Sequence, residues 1–107
     1  MGLDIRISRC TENICPHCGK GVGYTVVDSN TSGGRLWYPF LESIGYYVPY
    51  DKRTEENDWY GKDMALTTEQ AKELFEFLKK TFQYSDIKFL VAMALAENDT
   101  IVINADW

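Results

Sequence analysis

Between residues 67 and 82 an apolar side chain recurs at Ala71, Leu74, Phe75, Leu78 and Phe82, the spacing of one face of an α-helix. Thr67 followed three residues later by Gln70 is the signature of a capping box. Lys79 and Lys80 fall at the negative end of the helix dipole. A helix with one apolar stripe must bury that stripe against another element, and the two ends of the chain supply one. Leu3-Asp4-Ile5-Arg6-Ile7-Ser8 alternates apolar and polar strictly, as a half-buried strand does, and Thr100-Ile101-Val102-Ile103-Asn104 reads as a second strand at the far end.

The rest of the chain fits around that frame. Tyr24-Thr25-Val26-Val27 is rich in β-branched and aromatic residues and predicts a further strand, closed by turn chemistry over Ser29–Gly34. Trp37, Phe40, Leu41 and Ile44 share a short helical stripe. Pro39 is tolerable there in the first turn, and Gly45 is placed as a left-handed cap. Residues 46–63 predict one long loop with a short strand at Tyr46–Val48. Ser85 is placed to cap a last helix, in which Ile87, Leu90, Val91, Ala94 and Leu95 share a face and which looks buried on more than one side. The order is β-β-α-loop-α-α-β. It predicts a single α+β domain over 1–107, with a small sheet of three to four strands in one layer and helices in the other, and with the first and last strands close together.

At 107 residues the chain can bury about 65% of its unfolded surface, enough for a core without staples. Sixteen acids against eleven bases leave a net charge of −5, which argues against nucleic acid as a partner because phosphates need a basic face. The opening residues lack a basic segment followed by an apolar run. The longest apolar run, Phe89 to Ala96, is far short of the roughly 20 residues that span a bilayer. The expectation is a cytoplasmic protein without a membrane partner, its three cysteines reduced or bound to metal rather than paired in disulfides.

Two of those cysteines lie in Ile14-Cys15-Pro16-His17-Cys18-Gly19-Lys20-Gly21-Val22-Gly23, which admits three readings. A redox Cys-X-X-Cys places its first thiol at a helix N-terminus, and three glycines followed by Tyr24 and Thr25 do not propagate a helix. A tight turn without metal is the simplest reading. The third is metal: Cys15-Pro16-His17-Cys18-Gly19-Lys20 resembles one knuckle of a zinc ribbon, with two thiolates spaced for one tetrahedral ion. A ribbon needs a second Cys-X-X-Cys and this chain has none. Cys10, five residues before Cys15, would be the third ligand of a single zinc, while His17 sits between two ligands and would struggle to reach the same ion. The cofactor expectation is none, or one zinc on Cys10, Cys15 and Cys18. The opening Met1-Gly2-Leu3-Asp4-Ile5 and the closing Asp106-Trp107 also resemble a loose group of small phage and prophage proteins. That resemblance covers the two ends and implies a mobile-element origin with no specific activity.

Eight of fifteen aromatic residues fall between Trp37 and Tyr60. Trp37 and Phe40 belong to the helical stripe, but Tyr50, Trp59 and Tyr60 stand among Asp51, Lys52, Arg53, Glu55, Glu56 and Asp58. Long loops without regular structure tend to be functional or disordered, and interface cores are enriched in Tyr and Trp. These rings either fold back as a lid or, with Glu55 and Glu56, face a partner. No phosphate-cradling loop is present, and His17 is the one histidine available to any nucleophile–base pair. The expected function is therefore a small non-enzymatic phage-type protein that binds and inhibits a host protein with a basic surface. Tyr50, Glu55, Glu56, Trp59 and Tyr60 would be its contact residues. A zinc-knuckle binding module is the alternative, and a thiol-dependent enzyme a distant third.

Overall fold

In a computed structural model, residues 3–14, 21–82 and 86–106 are described. The chain forms β1 (Asp4–Ile14), β2 (Gly21–Gly33), a 3₁₀ turn at Arg35–Trp37, and α1 (Tyr38–Ser43). It continues through a 3₁₀ turn at Tyr50–Lys52 to β3 (Asp63–Ala65), α2 (Thr68–Thr81), α3 (Asp86–Glu97) and β4 (Thr100–Asp106). The four strands make one antiparallel sheet in the order β2-β1-β4-β3, and helices pack on one of its faces. This is the expected two-layer α+β arrangement, with the first and last strands paired from Asp4↔Asp106 to Cys10↔Thr100.

Period-2 alternation in β1 and β4 decides which side faces the helices. Leu3, Ile5, Ile7, Ile101, Ile103 and Ala105 point inward and are buried. Above them lie Leu74 and Leu78 of α2, and Leu90 and Val91 of α3, in a single core. The α2 capping box forms as its sequence predicts: the Gln70 N–H donates to Thr67 Oγ1 at 3.1 Å, and the Thr67 N–H to Gln70 Oε1 at 3.0 Å. Phe77, which lies off the predicted stripe, is half-buried because Trp37 and Phe40 come down on it, with ring centroids 5.3 and 5.5 Å away. Trp37 is fully buried, and its Nε1–H donates to Ser32 Oγ at 3.1 Å.

Four local expectations are corrected. The turn placed at Ser29–Gly34 is strand as far as Gly33, because each of these residues finds a partner on β1, Ser29 opposite Ser8 and Gly33 opposite Asp4. A side chain at Gly33 would run into the Leu3 carbonyl, the acceptor for the Gly34 N–H. The strand at Tyr46–Val48 is absent: the Tyr46 and Tyr47 N–H groups both donate to the Leu41 carbonyl, closing the end of α1 behind Gly45 (φ 78°). β3, unpredicted, forms because Asp63–Ala65 lies along β4. Finally, α3 buries one face only, leaving Phe89 63% and Met93 48% exposed. The Ser85 cap lies outside the described residues.

β2 is an edge strand, and two of its amides are closed by its own side chains. Asp28 Oδ1 accepts from the Ser29 N–H at 2.9 Å and Asn30 Oδ1 from the Thr31 N–H at 3.0 Å. Those two amides, at positions facing non-hydrogen-bonded partners on β1, would otherwise invite another strand. Between Arg9 and Cys10 the register shifts by one residue of β2, a bulge that increases the local twist of the hairpin.

Candidate binding surfaces

The segment from Tyr46 to Lys62 is long, but it is pinned at many points. Tyr46 is fully buried, and its hydroxyl accepts from the Ala105 N–H at 2.7 Å and donates towards the Lys62 carbonyl at 2.7 Å. The Ala105 carbonyl, at 3.1 Å, is a second acceptor for the same proton. Burial pushes this hydroxyl above its ordinary pKa, the Ala105 N–H partly offsets that, and Asp63 and Asp106 raise it further. The Arg53 guanidinium donates twice to the Val48 carbonyl, from Nε at 3.0 Å and Nη2 at 2.9 Å, and lies over the Tyr47 ring. Thr54 and Asn57 close a turn, with the Thr54 N–H 2.7 Å from Asn57 Oδ1. The Gly61 N–H reaches the Ala105 carbonyl at 2.8 Å.

That framework separates the five predicted contact residues. Trp59 is half-buried, its ring stacked on Tyr46 at 6.2 Å and 30° and packed against the core. It supports the segment from beneath. Tyr50 is 87% exposed on its 3₁₀ turn, Tyr60 is 48% exposed, and Glu55 and Glu56 are exposed on the turn between them. The Asp58 carboxylate accepts from the Tyr60 N–H at 3.1 Å and fixes the backbone there. Tyr50, Glu55, Glu56 and Tyr60 are thus exposed side chains of one pinned segment, the Tyr50–Tyr60 ridge, whereas Trp59 packs inward against Tyr46 and the core.

Of the predicted metal ligands, Cys15 and Cys18 lie outside the described residues, as does His17. Cys10 is described, and is 2% exposed. Burial pushes its thiol up, and the carboxylates of Asp63 and Asp99 push it further, so it is held protonated. β1 stays in its ladder for four residues beyond Cys10, as far as Ile14, which separates the two by about 13 Å at strand rise. Zn–S bonds are about 2.3 Å. A shared site would therefore require the other two sulfurs to return along the strand to Cys10. Among the described residues no cluster of three or more His, Cys, Asp or Glu is placed to hold a metal.

A second surface was not visible in the sequence. On the face of the sheet away from the helices, all four strands contribute to a trough of about 500 Å³. Arg6, Ser8 and Cys10 come from β1, Tyr24, Val26 and Ser29 from β2, Asp63 and Ala65 from β3, and Val102 from β4. Ser8, Cys10 and Ala65 are small residues at outward positions, flanked by longer Arg6, Tyr24 and Val26. That difference in length makes the hollow. Small residues on the outward phase of a strand were the available signal, but which strands would lie beside each other was not. On the opposite face Arg9 Nε lies 2.9 Å from Asp99 Oδ2, a partly buried ion pair joining β1 to the end of α3. Its N–H is not aligned with the oxygen, so the attraction is Coulombic rather than a formed hydrogen bond.

Compared with family profiles, curated proteins and solved structures, the chain finds no match.

Proposed function

We propose that this chain is a small non-enzymatic binding protein of phage type, which docks through the Tyr50–Tyr60 ridge onto a basic surface of a host protein and inhibits it by occupying that surface. The observation that carries this reading is the exposure of Tyr50, 87%, on a segment whose flanks are held by Tyr46, Arg53 and Trp59. A large ring held outward on a braced turn loses little conformational entropy on binding, and Tyr is among the residues that dominate interface energies. Glu55 and Glu56 have no ion-pair partner among the described residues and would raise the association rate towards a basic partner.

The test is capture from a lysate of the native host, compared between the wild-type chain and Tyr50→Ala combined with Tyr60→Ala. Loss of a specific host protein from the variant, at unchanged melting temperature, supports the reading. Equal capture by both would remove the ridge from the interface. Glu55→Gln with Glu56→Gln should slow association at low salt and have little effect at high salt.

A further inference from the structure

We propose that the trough on the open face of the sheet binds a small monocarboxylate with an apolar body, its carboxylate on Arg6 and its body along β1 towards Cys10. The charge pattern selects the ligand. Arg6 is the one cation lining the trough, and it has no ion-pair partner among the described residues. Asp63, the one acid lining it, keeps its charge but stands two strands from Arg6, across Asn104 of β4, which donates from Nδ2 to Asp63 Oδ1 at 2.8 Å. One unpaired guanidinium matches one carboxylate in the two-pronged geometry that arginine favours. A phosphate would need more positive charge than a single arginine supplies beside Asp63, in a chain of net charge −5.

The polar and apolar groups are ordered along the strand in the same sense. Ser8, two residues beyond Arg6, is 7% exposed and lines the trough, and while its backbone is held in the β1–β4 ladder its hydroxyl has no hydrogen-bond partner among the described residues. Ser29 stands directly opposite it on β2 and brings a second hydroxyl. Further on, the surface turns apolar. Cys10, 2% exposed, lies at the floor, with Val26 (58% exposed) on one side and Val102 on the other. From Arg6 to Cys10 is four residues, about 13 Å of strand, and the trough volume of about 500 Å³ is that of an ordinary small-molecule site. Covering Val26 removes apolar surface that the isolated chain leaves in water.

Titration of isotopically labelled full-length protein with sodium octanoate, followed by amide chemical shifts, tests this directly. Octylammonium chloride serves as the control of opposite charge. Saturable shifts are expected at Arg6, Ser8, Val26 and Val102, with octylammonium failing to produce them. Arg6→Gln, at an exposed position that tolerates the change, should weaken octanoate binding at least tenfold, about 1.4 kcal/mol. Val26→Asp should weaken it similarly by placing a carboxylate beside the ligand. Scattered or absent shifts, equal binding of octylammonium, or unchanged affinity in Arg6→Gln would each overturn the assignment. So would shifts at the same residues that depend on protein concentration and not on octanoate, since a second copy of the chain would then be covering the face.

Discussion

Tyr46 shows how much one hydroxyl can organise. It joins the end of α1, the approach to β3 and the end of β4 by accepting from the Ala105 N–H and donating to a main-chain carbonyl. Tyr46→Phe keeps the ring and its stack with Trp59 but leaves a buried amide without an acceptor. The expected cost is about 1–3 kcal/mol, the penalty for a stranded buried donor, read as a lower denaturation midpoint at unchanged slope. Trp59→Ala is expected to destabilise the isolated protein by about 2 kcal/mol, less than the 3–5 typical of a fully buried Trp because the ring is half-covered. An unchanged melting temperature would show that Trp59 does not brace the ridge. Tyr46 and Cys10 also give the fold an alkaline limit. Both groups have pKa values raised from ordinary values of 10.0 and 9.0, so the folded state holds each proton after the unfolded chain has released it. Their contribution is complete below the unfolded values and is lost as pH rises through the window between unfolded and folded values. Stability should therefore begin to fall just above pH 9, and Cys10→Ala should delay the onset to near pH 10 in denaturation curves collected across that range.

At the scale of elements, α2 and β2 make opposite points. α2 is specified locally by its cap, its stripe and its terminal lysines, and it forms as specified. Leu78 is fully buried in the helix–sheet core, so Leu78→Ala should cost about 2–5 kcal/mol; a loss below about 1 kcal/mol would mean that the site collapses around the gap. β2 is an edge whose safety depends on two side chains. Asp28→Ala combined with Asn30→Ala frees the Ser29 and Thr31 N–H groups along an outer edge that already carries exposed Tyr24 and Val26. The expected outcome is self-association that grows with concentration, visible as a rising mass in light scattering, while the wild-type edge keeps those amides occupied. A double variant that stays at the wild-type mass would show that the bulge at Arg9/Cys10 protects the edge alone.

For the molecule as a whole, the zinc alternative has a clear thermodynamic signature. Thiolate ligation would make metal binding part of the folding free energy. If zinc is held, Cys15→Ser should lower the melting temperature as much as a chelator does, and elemental analysis should find one zinc per chain. Because Cys10 is buried about 13 Å from the strand end, Cys10→Ala should not reproduce the chelator effect. If it does, β1 must give up its ladder beyond Cys10 when metal binds. No helix among the described residues is long and apolar enough to cross a membrane.

Much of this architecture is local in origin, and so could be read from the chain alone. The alternation of Leu3–Ser8, the capping box at Thr67, and the stripe ending at Phe82 depend on neighbours within a few residues, and short-range sterics and hydrogen bonds decide them. Their meeting in two layers follows because each has one apolar face to bury. What depended on pairing between distant segments was not legible. Ser29–Gly33 has the composition of a turn and becomes strand only because β1 offers it a ladder, and Asp63–Ala65 becomes strand only beside β4. Trp59 reads as an exposed anchor until Tyr46 is found beneath it. The trough belongs to the same class: its walls come from four strands scattered between residues 4 and 106. Side-chain alternation gives each strand its outward face, but only the strand order β2-β1-β4-β3 sets Arg6, Ser29, Asp63 and Val102 around one hollow, because long-range pairing is fixed by the fit of the whole sheet and not by any one stretch of it.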